Sequence, residues 1–200
     1  VTDHDGFYGV SRVWQAAQAT GLPVIYGVEV GLENAASHSD PVSDAEKWDR
    51  DRYARSKGAQ GRLRRGRSVR AHGTKPTDLP ETDHLVLLAG SPSGYRSLSR
   101  FVTRAQLRGE KDHPIYAWED LAEAAENRDV HALTGCHAGA VPRAAARGDL
   151  SATIRETARL KDLFGTRLHL ELWHHGMPED DARNDLMWEV GGKLALSTVA

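Results

Sequence analysis

Apolar runs of strand length alternate with amphipathic stretches about six times along this chain, and the residues at the strand exits are polar or able to hold a metal. That alternation admits few architectures. A strand followed by a helix, repeated, builds a parallel sheet with its ligand site gathered at one face, as in a (β/α) barrel or a related α/β fold. Strands are expected over 24–30, 83–90, 129–136, 167–173 and 194–199. Helices are expected over 10–19, 93–102, 119–126, from 139, over 150–163 and over 178–190. The first helix presents Val10, Val13, Trp14 and Ala17 at helical spacing and stops at Gly21 and Pro23. In the third and fifth helices the inward positions are expected to be Leu121 and Ala122, and Ile154, Ala158 and Leu160.

The strand exits hold the chemistry. The chain opens on Val1-Thr2-Asp3-His4-Asp5-Gly6-Phe7-Tyr8-Gly9, read as a strand tip turning into a helix. His4 offers an imidazole nitrogen to a metal, and Asp3 or Asp5 can ligate or orient it; the plain alternative is an Asp-rich turn with a helix cap. Glu29 interrupts a β-branched strand, where an acid costs free energy unless it is paired, metal-bound or turned to solvent. His84 stands at the entrance of the 85–88 apolar run. Cys136 leaves the next strand, either as a soft thiolate ligand or as a small buried hydrophobe. His174 and His175 stand at the tip of the 167–173 strand, and Glu179 and Asp180 favour the positive end of the helix that follows.

Between residues 32 and 82 the periodic apolar pattern disappears. This stretch reads as a charged insertion, partly disordered, within a single domain spanning 1–200. Its centre is basic, and Arg62, Arg64, Arg65 and Arg67 are candidates for contact with a phosphate backbone; the alternative is a solvated loop balanced by its own acids. His38 and His72 receive no role.

The whole chain bounds the function classes. A hydrophobic content of 40% with 27% charged residues over 200 residues is enough for one good-sized core. A formal net charge of −2 gives no global nucleic-acid footprint. The lone Cys136 excludes an internal disulfide framework and points to a reducing, cytoplasmic setting. No run approaches the length of a membrane span, and there is no Walker loop, Gly-x-Gly-x-x-Gly or Cys-x-x-Cys pair. The opening lacks both Met and room for a first strand, as expected of a segment cut from within a domain.

Five stretches in order resemble the PHP (polymerase and histidinol phosphatase) domain of bacterial C-family DNA polymerases. They are residues 2–9; Tyr26-Gly27-Val28-Glu29-Val30; His84 to Ala89 with Gly94-Tyr95-Arg96-Ser97-Leu98-Ser99-Arg100; Thr134-Gly135-Cys136-His137-Ala138-Gly139; and Glu171-Leu172-Trp173-His174-His175-Gly176 with Arg183-Asn184. Asp3-His4-Asp5-Gly6 and Thr134-Gly135-Cys136 are most similar to the error-prone, damage-tolerant subfamily.

The resemblance implies a distorted (β/α)7 barrel, incomplete at both ends in this chain, that binds up to three divalent ions such as Zn, Mn or Fe. By position it matches His4, Glu29, His84 and Cys136 to ligands and Asp3 to a residue next to the site. Asp5 and His175 are further candidates beside it, and the recurrent motif that holds His175 carries no metal role onto it. The family's opening His-x-His would precede Val1, and its Asp-x-His would follow Ala200. The parent protein implied is an error-prone DNA polymerase of DNA repair, replication and translesion synthesis, a nucleotidyltransferase using Mg in a palm domain elsewhere. Its partners would be DNA, its own other domains and translesion accessory proteins, with no membrane. The domain itself could act as a metal-dependent 3′–5′ exonuclease. A stand-alone phosphoesterase or a non-catalytic scaffold is the alternative.

Overall fold

A computed structural model of the chain describes residues 1–33 and 82–200. Those residues form one compact unit. Arg62, Arg64, Arg65 and Arg67, and nearly all of the insertion, lie outside the described residues. Its expected margins do not: Leu32, Glu33 and Thr82 belong to strands, and Leu32 is buried.

The described residues contain a six-stranded sheet in sequence order. Its strands are β1 (Thr2–His4), β2 (Tyr26–Glu33), β3 (Thr82–Ala89), β4 (Val130–Leu133), β5 (Leu168–Glu171) and β6 (Ser197–Val199). The helices are α1 (Val10–Thr20), α2 (Pro92–Arg108), α3 (Trp118–Glu126), α4 (Ala140–Ala146), α5 (Leu150–Phe164) and α6 (Pro178–Leu194). This is a mixed α/β fold whose sheet is not closed, consistent with a (β/α) barrel fragment. The expected all-parallel order fails at one strand, because β3 runs antiparallel to both β2 and β4. Residues 34–81, which join β2 to β3, lie outside the described residues; an antiparallel neighbour differs from a parallel one in needing no crossover helix.

Strand parity separates the faces. Val28 pairs with Leu87, Leu87 with Ala132 and Ala132 with Leu168, so these buried side chains share the face covered by the helices. Each of the larger ones contributes on the order of 1.5–3 kcal/mol by leaving water. The opposite face takes His4, Glu29, His84, Val86, Leu133, His169 and Glu171.

Ser91 caps α2 by accepting from the N–H groups of Ser93 and Gly94 at 3.1 and 3.3 Å, while donating to Asp129 at 2.5 Å. Three helices depart from the expected packing. None of the residues of α1 is buried, and Trp14 is 54% exposed; β1 beside it is outermost and only three residues long, so it offers little surface to cover. In α3 the buried positions are Leu121, Ala124 and Ala125 rather than Ala122. In α5 they are Ala152, Thr153, Thr157, Leu160 and Phe164, with Ile154 and Ala158 half-buried. Thr153 and Thr157 can be inside because each hydroxyl donates to the carbonyl four residues back, both at 2.7 Å.

The last helix also runs further than its pattern suggested. It reaches Leu194, whose carbonyl accepts from Lys161 at 2.7 Å, and only Ser197–Val199 remain as strand. No helix among the described residues is long and apolar enough to cross a membrane.

Candidate metal centre

The reversed direction of β3 builds the site. Because β3 is antiparallel, its beginning lies at the end of the sheet where β1 and β2 finish, and the register sets Gly31 opposite His84 and Glu29 opposite Val86. Alternation then puts His84 on the face of Glu29, one diagonal away, while parallel pairing sets His4 directly beside Glu29. Ligand atoms of His4, Glu29 and His84 come within 4.8 Å of one another. Glu29 Oε1 is 2.7 Å from His84 Nδ1 and 3.7 Å from His4 Nε2.

Two further side chains complete the surroundings. His4 Nδ1 lies 2.7 Å from Asp5 Oδ2, which fixes the ring and leaves Nε2 turned to Glu29. Asp5 takes a left-handed backbone (φ 58°) to do so, and Gln106 donates to its carbonyl at 2.9 Å. Cys136 Sγ lies 3.4 Å from His84 Nδ1 and so adjoins the group through that residue. Gly135 makes the approach possible. Its φ is +84°, and a Cβ there would meet the His84 carbonyl oxygen at 2.4 Å.

The remaining expected residues do other things. Asp3 accepts from the Gly9 N–H at 2.7 Å and so holds the turn into α1. His175 is not among the grouped ligands; its ring lies against Trp173, centroids 5.5 Å apart and planes 5° from parallel.

Electrostatics hold the group together without a metal. Hydrogen bonding to His84 outweighs burial and keeps Glu29 below the ordinary carboxylate value, helped by the charges of His84, His4 and His137. Burial opposes a charged His84, but hydrogen bonds to Cys136 and Glu29 win and push its pKa up to about 10. In metal-free protein this contribution is fully present below the unfolded-state value of 6.5 and is lost as pH rises through about 10. Thermal melts of wild type and His84→Gln in chelator, from about pH 6 to about pH 11, should therefore converge as pH rises. A gap that stays constant across that window would refute the assignment.

One acid on this face escaped the sequence reading. Glu171 ends β5, and its Oε2 is buried with no hydrogen-bond partner. Burial and then the charge of Glu29 raise its pKa, against hydrogen bonds from the Trp173 side chain and the Gly135 backbone N–H. The signal was available: Glu171 alternates with Leu168, Leu170 and Leu172, the same intruding-acid pattern that exposed Glu29.

Two imidazoles, a carboxylate and a nearby thiol are a donor set for a borderline divalent ion, and the orphaned Glu171 oxygen leaves one more acceptor unused at the same end. The residues present fit a metal. Comparison with known proteins settles the family: residues 1–175 match the PHP domain model. The chain belongs to the PHP domain family.

Among curated relatives, this PHP domain is 36% identical to the error-prone DNA polymerase of Nocardia farcinica over 223 aligned residues, covering 100% of this chain and 18% of the relative. It is 34% identical to the error-prone DNA polymerase of Mycobacterium tuberculosis strain H37Rv, again over 100% of this chain and 15% of the relative. Identity to the DNA polymerase III alpha subunit of Thermus aquaticus is 28%, with 100% of this chain and 14% of that protein covered. The chain therefore spans less than a fifth of the length of each of these relatives.

Proposed function

We propose that this chain is the PHP domain of an error-prone DNA polymerase and that its His/Glu centre hydrolyses the terminal phosphodiester of a DNA 3′ end. The observation that carries the reading is the meeting of His4, Glu29 and His84 within 4.8 Å at one end of the sheet. Likeness over the full chain to error-prone polymerases supports such a parent protein. DNA, the remaining domains of the polymerase and translesion accessory proteins are its partners in this reading, and the cytoplasm its location.

His4, Glu29, His84 and Cys136 would hold divalent ions, with Zn, Mn and Fe all compatible with mixed N, O and S donors. Such ions, when bound, supply an activated water and stabilise charge on the attacking and leaving oxygens. The chain's own residues do the positioning. Asp5 turns His4 so that Nε2 faces the centre. Glu29 braces His84. The Gly135 turn delivers Cys136. Nucleotide addition by the parent would use Mg in a palm domain outside this chain.

The test uses the intact parent protein on 3′-labelled single-stranded DNA without nucleoside triphosphates. Wild type should remove terminal nucleotides, and His84→Ala should lose that activity by at least about 100-fold while still extending primers. Equal degradation by His84→Ala would place hydrolysis elsewhere in the protein. Metal-loaded wild type that degrades nothing would leave the domain a non-catalytic scaffold.

A further inference from the structure

The loop between β5 and α6 displays two aromatic rings in water. Trp173 is 41% exposed, and the exposed His175 lies against it with ring planes 5° apart. An indole left in solvent forgoes the burial that usually holds tryptophan in place. Here the backbone is fixed instead. Asn184 Nδ2 donates to the Trp173 carbonyl at 3.0 Å, and Arg183 donates to the same oxygen. Asp180 accepts from the His175 N–H at 2.7 Å and pairs with Arg183 at 2.9 Å, both being buried. A display surface built this rigidly loses little conformational freedom when something flat settles on it.

Its place in the fold says what that is. The loop leaves β5 at the end of the sheet where β1 and β2 finish, the end that holds His4, Glu29 and His84. Glu171, on the site face of β5, is hydrogen-bonded to the Trp173 side chain and feels the charge of Glu29. The start of the helix that follows carries the exposed acids Glu179 and Asp181, and His174, beside Trp173 and His175 in the chain, lies 3.1 Å from Asp181. Such surroundings repel phosphate and leave the neutral π-face of a base as the matching ligand.

We propose that Trp173 and His175 form a stacking platform for the unpaired base at the 3′ end of a DNA strand whose terminal phosphodiester lies at the metal centre. The substrate class rests on the proposed function; the platform does not require hydrolysis to be seen. Stacking is indifferent to base identity, so the platform accepts any terminal nucleotide.

The experiment uses the intact parent protein, stripped of metal by chelator, with an oligothymidine bearing 5-iodo-deoxyuridine at its 3′ terminus. After irradiation, the cross-linked peptide is identified by mass spectrometry. The cross-link should fall on the peptide that contains Trp173, with a yield about tenfold lower in Trp173→Ala and largely restored in Trp173→Phe. Unchanged yield in Trp173→Ala, or cross-links confined to other regions, overturns the platform. The two readings separate cleanly. A cross-link at Trp173 in a protein that hydrolyses nothing when metal-loaded keeps the platform and rejects hydrolysis. Hydrolysis unaffected by Trp173→Ala, with no cross-link there, does the reverse.

Discussion

Replacing Glu29 with alanine should abolish divalent-ion binding at the proposed centre. Glu29 is the sole carboxylate of the described triad, and its Oε1 touches both other members, at 2.7 Å from His84 Nδ1 and 3.7 Å from His4 Nε2. Its removal deletes a ligand, takes away the negative charge that offsets the ion, and frees the His84 ring to turn. Loss of a side chain that only orients a ligand costs about 10–100-fold in metal affinity, so loss of Glu29 should cost at least the upper end of that range. Asp5→Asn, which weakens only the grip on His4 Nδ1, should sit nearer tenfold. The check is metal content by plasma mass spectrometry after dialysis of the intact protein, followed by chelator competition. Full stoichiometry in a folded Glu29→Ala protein would remove the centre from consideration.

The second large effect is on stability. Arg183→Ala should destabilise the domain by about 3 kcal/mol, because it leaves Asp180 charged and buried without its cation. The two side chains are 9% and 5% exposed and 2.9 Å apart, and Arg183 also holds the Trp173 carbonyl. The loss should exceed that of neutralising both together: Asp180→Asn with Arg183→Gln removes both charges while keeping an acceptor for the His175 and Met177 N–H groups and a donor for the Trp173 carbonyl. Denaturant melts of the three proteins decide the matter. A single substitution no worse than the double one would show that the pair is effectively solvated.

Much of this arrangement was legible in the sequence, and the failures have separate causes. His4, Glu29 and Cys136 stood out because each breaks a strand's apolar pattern or sits at its exit. His84 was flagged at a strand entrance, which in an all-parallel sheet would have put it at the wrong end; the antiparallel course of β3 makes that entrance the right one. Pairing direction depends on what joins two strands, and between β2 and β3 the local pattern was silent. The stripe on α1 was real as periodicity, but periodicity does not reveal whether a surface exists to receive it. Glu179 and Asp180 were read alike as acids at a helix start. Only Asp180 turns inward, to accept from His175 and Met177 and to meet Arg183. That choice is made by partners three and five residues away on either side, which helix-start composition alone does not reveal.

The pairing of β2 with β3 also bears on how the site is held together. The ladder runs as far as Glu33 opposite Thr82, so both ends of the intervening segment are fastened to each other by the sheet before the segment begins. The diagonal placing of His84 against Glu29 is therefore set by the ladder itself, from Tyr26 opposite Ala89 to Glu33 opposite Thr82.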